Sequence, residues 1–223
     1  MVRTVPAHKW LPLLAPGAPI PRTLLVAYNG RKVVKDVGHG GAKAYRDLCL
    51  RVELAAARIG HPVFIRHEGK SCAGDNPRLA TTREPDDIPR ALGCALAVPG
   101  AARSRHIIVR KLLPLIAPFE TTGGRLVSRE FVIHADSGAA RCMHPAWDAG
   151  IPAGLEREFR DLFTLTVDEQ ADLASLCSTY ATALDGAWRI EVGQGTDRKW
   201  WILNADRAAL CKAEQPIPVL VRL

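Results

Sequence analysis

A chain of 223 residues, 48% of them hydrophobic, is long enough for one large domain or two small lobes around a real core. No stretch approaches the roughly 20 consecutive apolar residues of a membrane span, and Pro6, His8 and Lys9 interrupt any secretory-leader pattern at the N-terminus. The net charge of +7 is spread among alternating acidic and basic residues, which suits anionic ligands in general and gives no nucleic-acid-binding tract.

Six cysteines (Cys49, Cys72, Cys94, Cys142, Cys177 and Cys211) stand far apart without a CxxC pair. That spacing argues against a structural zinc site and for reduced thiols in a cytoplasmic protein. The five prolines within residues 1–22 (Pro6, Pro12, Pro16, Pro19, Pro21) predict an extended lead-in. Thr23–Tyr28 reads as a strand ending at the turn-like Asn29-Gly30, with Arg31–Val34 as the second arm of a hairpin. From Gly41 to Ile59 the residues Ala44, Leu48, Val52, Ala55 and Ile59 recur at helical spacing, and Gly60 stands where a C-terminal cap belongs. Pro62–Arg66 is a short apolar strand that ends in a charge, followed by the polar, glycine-containing loop His67–Asn76.

A helix near Asp86–Ala97 and a strand over Ile107–Leu113 come next. Arg125–His134 and Ala139–His144 form a predicted hairpin around residues 135–138, across which His134 and His144 are placed to meet. A short helix follows at Leu155–Phe163. Thr166 and Glu169 have capping-box spacing, so a helix begins there; it is predicted to run to about Leu184, with Leu173, Leu176, Tyr180 and Leu184 on its apolar face. Trp188–Gln194 and Lys199–Leu203 make a closing hairpin, with one of Trp200 and Trp201 in the core. Antiparallel strand groups separated by helices predict an α+β fold whose sheets are covered on one face.

The segments APIPRT (18–23), GHPVFIR (60–66), HIIVRKLLP (106–114), LVSREFVIHADSG (126–138) and WRIEVGQGTDRKWWILNAD (188–206) follow one another in an informative order. Over roughly residues 18–210 this succession resembles the ATP-grasp superfamily, and most of all a small phage and bacterial branch of it. The resemblance implies a compact fold of two small, mostly antiparallel sheets with helices and a nucleotide cleft between them. It sets a lead-in at 1–22, an N-terminal lobe at 23–105 and a C-terminal lobe at 106–223.

It also implies a set of site residues. Arg66 stands where the family usually has a phosphate-reaching lysine, and a guanidinium offers a bidentate fork to phosphate oxygens. The loop with Gly69, Lys70, Ser71 and Gly74 matches the flap that covers the phosphates; a solvated surface turn is the plain alternative. Lys111, Leu112 and Leu113 fall where backbone groups recognise adenine, although Arg110 and Lys111 replace the acidic residue common there. Arg129 and Glu130 point to opposite sides of a strand, and Arg129 is assigned to charge stabilisation of phosphoryl transfer. Glu191, Asn204 and Asp206 are the expected ligands for Mg2+, a cation that takes hard oxygen donors. Ile202 occupies the place of a further carboxylate.

With ATP and Mg2+ as cofactors, the implied activity is a carboxylate–amine ligase acting through an acyl-phosphate. Its carboxylate and nucleophile substrates are unidentified, a peptide or protein among them. A degenerate ATP-grasp relative that binds or regulates without catalysis is the alternative, motivated by Ile202 and the basic hinge. A basic nucleic-acid-binding protein ranks third. No HxH, HExxH or HxxxH pair, Walker loop, GxGxxG or G-x-S-x-G motif occurs to support other chemistries.

Overall fold

The computed structural model describes residues 7–14, 17–38, 43–68, 80–121, 126–147, 153–181 and 184–207. The chain divides into two compact units: a first comprising Pro6–His8 with Pro21–Leu113, and a second comprising Lys9–Ile20 with Pro114–Leu223. In chain order the elements are α1 (Ala7–Trp10), β1 (Thr23–Ala27), α2 (Gly30–Gly38), α3 (Lys43–Ile59), β2 (Val63–His67), β3 (Thr81–Thr82), α4 (Ile88–Ala97) and β4 (His106–Lys111), then β5 (Phe119–Glu120), β6 (Leu126–Val127), β7 (Glu130–Asp136), β8 (Ala139–Pro145), α5 (Glu156–Phe163), α6 (Val167–Ala181), β9 (Ala187–Gln194) and β10 (Trp200–Arg207). No described helix is long and apolar enough to cross a membrane.

The first unit is an antiparallel sheet in the order β1–β4–β2–β3. Val26, Val63, Ile65, Ile107 and Val109 on one face of it pack with Leu48, Val52 and Ala56 of α3 and Ile88, Leu92 and Ala95 of α4. Helix α3 forms where the apolar spacing places it and stops at Gly60, whose φ of +84° is the left-handed conformation that glycine adopts without a Cβ clash.

Two expectations fail in the N-terminal part of the chain, each for a local reason. The lead-in is not wholly extended: α1 is followed by a 3-10 turn at Leu11–Leu13, where Pro12 lies in the first turn and needs no donor, and Trp10 is fully buried. Arg31–Val34 is helical rather than a hairpin arm. Asn29 is a helix cap, its Oδ1 accepting the Lys32 N–H at 3.1 Å while Val33 N–H bonds the Asn29 carbonyl at 3.0 Å. The β-branched Val33 and Val34 suggest a strand, but the cap and the burial of Val33 in the core decide for a helix.

The second unit is built on an antiparallel sheet in the order β10–β9–β7–β8, with a two-stranded pair β5–β6 besides. Helix α6 lies against β7 and β8. Phe131 meets Phe163 and Trp200 edge-on at 5.5 and 5.8 Å, so this face carries the aromatic core. The strand expected over Arg125–His134 is broken after Val127, where Arg129 N–H bonds Ile116 O at 2.7 Å instead of joining the ladder. The capping box at α6 forms as expected. Thr166 Oγ1 accepts the Glu169 N–H at 3.2 Å, and Glu169 Oε2 accepts the Thr166 N–H at 3.0 Å. Leu173 and Cys177 are the buried residues of that helix, with Leu176 and Tyr180 half-buried. Trp200 is buried and Trp201 half-buried.

Candidate functional site

Each unit's sheet has a helix-covered face and a second face, and the second faces carry most of the residues singled out in the sequence. In the first unit the register sets Arg66 opposite Ile108, Phe64 opposite Arg110, and Thr23 opposite Arg110. Cross-strand partners share a face, as do alternate residues along one strand. Arg66 and Arg110 therefore lie together on the side of the sheet away from the apolar cluster. Both are largely buried, and Arg110 Nε donates to Thr23 Oγ1 at 2.9 Å. Arg110, singled out in the sequence as a departure from the resemblance, thus shares a face with Arg66.

Lys111 is committed elsewhere. Its ammonium donates to Gly60 O at 3.0 Å and His61 O at 2.7 Å, closing the carbonyl end of α3. Its backbone N–H bonds Arg22 O at 2.8 Å, and that of Leu112 bonds Pro62 O at 3.1 Å; Leu113 is half-buried. Lys70 and Ser71 lie outside the described residues.

In the second unit Glu191 pairs with Asn204 and Arg189 with Asp206, so the three expected magnesium ligands share one face. A bulge makes this possible. The pairing shifts by one residue between Ile202 and Asn204, so Asn204 rather than Leu203 stands opposite Glu191. A one-residue shift exchanges the faces of every following side chain. Here it turns Asn204 and Asp206 toward Glu191 and sends Ala205 into the core. Leu203 covers Gly193, where an added Cβ would stand 2.8 Å from the leucine side chain. Ile202 pairs with Val192 on the core face and is 1% exposed, so a carboxylate at that position would not reach this cluster.

Arg189 Nη1 donates to Glu191 Oε1, and Asn204 Nδ2 donates to Asp206 Oδ2 at 3.1 Å. Two carboxylates and an amide carbonyl are the hard oxygen donors that magnesium selects. Glu130 belongs to this face as well: it pairs with Gly193, two residues from Glu191, and accepts the Ser128 hydroxyl. His134 stands opposite Arg189 and stacks on His144 at 5.5 Å between ring centroids. Burial, His144 and Arg189 together push the His134 imidazole below its ordinary pKa.

Arg129 and Glu130 do point to opposite faces, but the member beside Glu191 is Glu130. Arg129 turns to the helices. Nε donates to Leu162 O at 2.7 Å, Nη2 to Thr164 O at 2.7 Å and Glu169 Oε2 at 3.0 Å, and Nη1 to Glu169 Oε1 at 2.6 Å and to Gln194 Oε1. Each of the five donors of the guanidinium has a protein acceptor, and the group also lies 5.6 Å over the Trp200 ring. A cleft of about 660 Å³ borders this node, lined by Ile116, Arg129, Asp161, Thr164, Glu169 and Arg198 among others. The sequence signal for this placement was present in Thr166 and Glu169, whose capping box puts a carboxylate at the start of α6.

No protein-family model matches the chain, and no curated protein matches it by sequence. Solved structures do. C-terminally truncated Cdc123 from Schizosaccharomyces pombe is similar at 12% identity with a TM-score of 0.60, over 91% of this chain and 82% of that one. The ADP complex of PurK, an N5-carboxyaminoimidazole ribonucleotide synthetase, is similar at 13% identity with a TM-score of 0.53, over 95% of this chain and 47% of that one. Biotin carboxylase from Campylobacter jejuni, in complex with a β-γ-ATP ligand, is similar at 12% identity and TM-score 0.50, over 88% of this chain and 39% of that one. The chain spans less than half the length of these two enzymes. The likeness is one of architecture: the protein has an α+β, ATP-grasp-like fold.

Proposed function

We propose that the protein binds magnesium–ATP and acts as an ATP-grasp ligase that joins a carboxylate to an amine. One observation carries the reading: a pair of buried arginines on one sheet face, and two carboxylates with an amide on a face of the other sheet, in a fold of this class. Arg66 and Arg110 would bind phosphate oxygens, the first by its bidentate fork. Lys70 and Ser71 would close over them as a flap, and the backbone of Lys111, Leu112 and Leu113 would recognise adenine through groups other than the Lys111 and Leu112 N–H, which Arg22 O and Pro62 O hold. Glu191, Asn204 and Asp206 have the oxygen donors to hold magnesium, which supplies charge neutralisation on the transferring phosphoryl group.

In this reaction a substrate carboxylate oxygen attacks the γ-phosphorus and ADP leaves. An amine then attacks the acyl carbon, loses a proton and expels phosphate. Glu191 and Asp206, already bonded to Arg189 and Asn204, are oriented before any ion arrives, so little reorganisation is left for the bound state. Arg129 positions α6 and is left out of the chemistry. We place the protein in the cytoplasm, where ATP and reduced thiols coexist.

Calorimetry of purified protein with ATP and ADP, with and without magnesium, tests the binding. Magnesium-dependent affinity that falls at least about tenfold in Arg66→Ala and in Glu191→Ala is expected, a loss of about 1.4 kcal/mol or more. No nucleotide binding sinks the proposal. The position of Ile202 in the core favours a second reading, a nucleotide-binding protein without turnover. Retained binding with no ADP formation from ATP in any carboxylate–amine mixture would select it, whereas ADP formation lost in Glu191→Ala would reject it.

A further inference from the structure

We infer that His8, Glu68 and His106 form a binding site for a divalent transition metal of the zinc class, distinct from the magnesium proposed above. The three residues come from α1, the residue after β2 and the first residue of β4, all within the first unit. Glu68 N–H bonds His106 O at 3.1 Å, which continues the β2–β4 ladder and fixes the two side chains beside each other. His8 Nδ1 lies 2.6 Å and His106 Nδ1 2.9 Å from the same oxygen, Glu68 Oε2. The imidazole centroids are 4.7 Å apart, and one ligand atom from each of the three residues lies within 4.8 Å of the others.

The chemistry of this trio matches one class of ion. Two imidazoles and one carboxylate make the three-ligand set of an open, four-coordinate zinc site. Imidazole nitrogen favours zinc, cobalt, nickel or copper over magnesium and calcium. Glu68 is only 6% exposed, and its other oxygen accepts the Arg105 N–H at 2.7 Å. That bond orients the carboxylate and leaves Oε2 for the ion, as the outer partners of metal ligands do. Metal–ligand bonds of about 2.0–2.2 Å separate tetrahedral donors by about 3.3–3.6 Å, so the existing contacts need open by no more than about 1 Å. The two Nδ1 atoms that meet Glu68 Oε2 are the ones that would take the ion, each ring then carrying its proton on Nε2.

The experiment uses the full chain stripped by chelator and titrated with Co2+, then Zn2+. One Co2+ per chain with the strong visible absorption of four-coordinate cobalt, no thiolate charge-transfer band, and displacement by Zn2+ but not by excess Mg2+ are expected. Zn2+ should raise Tm, because an ion that binds only the folded state stabilises it. His8→Ala and His106→Ala should each weaken Zn2+ at least about tenfold and abolish the Tm rise, while His134→Ala changes neither. His8 lies outside the sheet with a side chain 30% exposed, so His8→Ala keeps the test decisive even where His106→Ala fails to fold. A thiolate band, no cobalt spectrum, or undiminished affinity in folded His8→Ala overturns the site.

Discussion

The two sheets follow one plan and differ in what they bury. Both are four-stranded and antiparallel, with one face packed by helices. In the first unit the helices pack on the sheet through an apolar cluster centred on Leu48, Val52, Ile88 and Leu92, and the buried charges Arg66 and Arg110 lie on the opposite face. In the second unit a charged group enters the helix-packed side itself, where Arg129 joins β7 to the start of α6 through Glu169. The other face there is acidic, with Glu130, Glu191 and Asp206. The lesson is one of fault tolerance. An apolar interface loses stability in proportion to the atoms removed, whereas a buried ion pair that loses one partner leaves an uncompensated charge.

The sharpest way to break that contrast is Arg129→Ala. It strands the Glu169 carboxylate and the carbonyls of Leu162 and Thr164 together. A loss of about 3–5 kcal/mol in urea unfolding is expected; a loss below about 1 kcal/mol would make the node no more than a surface pair. The same node should carry an acid signature. The Arg129 guanidinium, with the Thr166 N–H and Gln194, outweighs burial and brings the Glu169 carboxyl from 4.5 down to about 2. A carboxyl depressed in the folded state adds stability above its unfolded pKa and loses it as pH falls through the folded value. Stability should therefore decline from about pH 4.5 toward pH 2, and Glu169→Gln should flatten that decline.

Much of this was legible in the sequence because it was local. The spacing of Leu48, Val52 and Ile59, the cap at Gly60 and the Thr166–Glu169 box each act within a few residues, and each appears where expected. The misreadings came from interactions between distant residues. Asn29-Gly30 reads as a hairpin turn, yet Gly30 packs against the backbone of Ala101 and Ser104, which no local pattern announces. The sequence sets Arg129 and Glu130 on opposite faces, as the structure does, but which face holds the helices depends on Glu169, forty residues on. The bulge that gathers Glu191, Asn204 and Asp206 is equally silent, and so is the His8–Glu68–His106 cluster, whose members share no motif spacing.

A milder test probes the first unit through its closest backbone approach. A Cβ on Gly30 would stand 2.3 Å from Ala101 O and 2.8 Å from Ser104 O, both main-chain atoms that no rotamer change can move. Gly30→Ala should cost about 1–3 kcal/mol by overpacking, in spite of the higher helix propensity of alanine. An unchanged midpoint would mean that α2 can shift away from the segment Ala101–Ser104. The carbonyl of Ala101, which also accepts Tyr28 Oη–H at 2.8 Å, would then be less firmly placed than that bond indicates.

The smallest expected effect compares two helix starts. Thr166→Ala removes the Oγ1 acceptor of the Glu169 N–H and should cost about 1 kcal/mol. Asp87 precedes α4 but makes no capping bond; its carboxylate accepts the Arg83 N–H at 3.0 Å and Arg90 Nη2 at 3.2 Å instead. Proline near the start of α4 and the 3-10 turn over Pro85–Asp87 set that end by backbone geometry. Asp87→Ala should therefore change the urea midpoint less than Thr166→Ala does. Equal losses would mean that the start of α6 depends on Arg129 gripping Glu169 and not on the box. In that case Thr166→Ala made in an Arg129→Ala background would show an undiminished loss, because the two groups would act independently. A smaller loss in the double variant would instead show that the cap and the ion pair are coupled through Glu169.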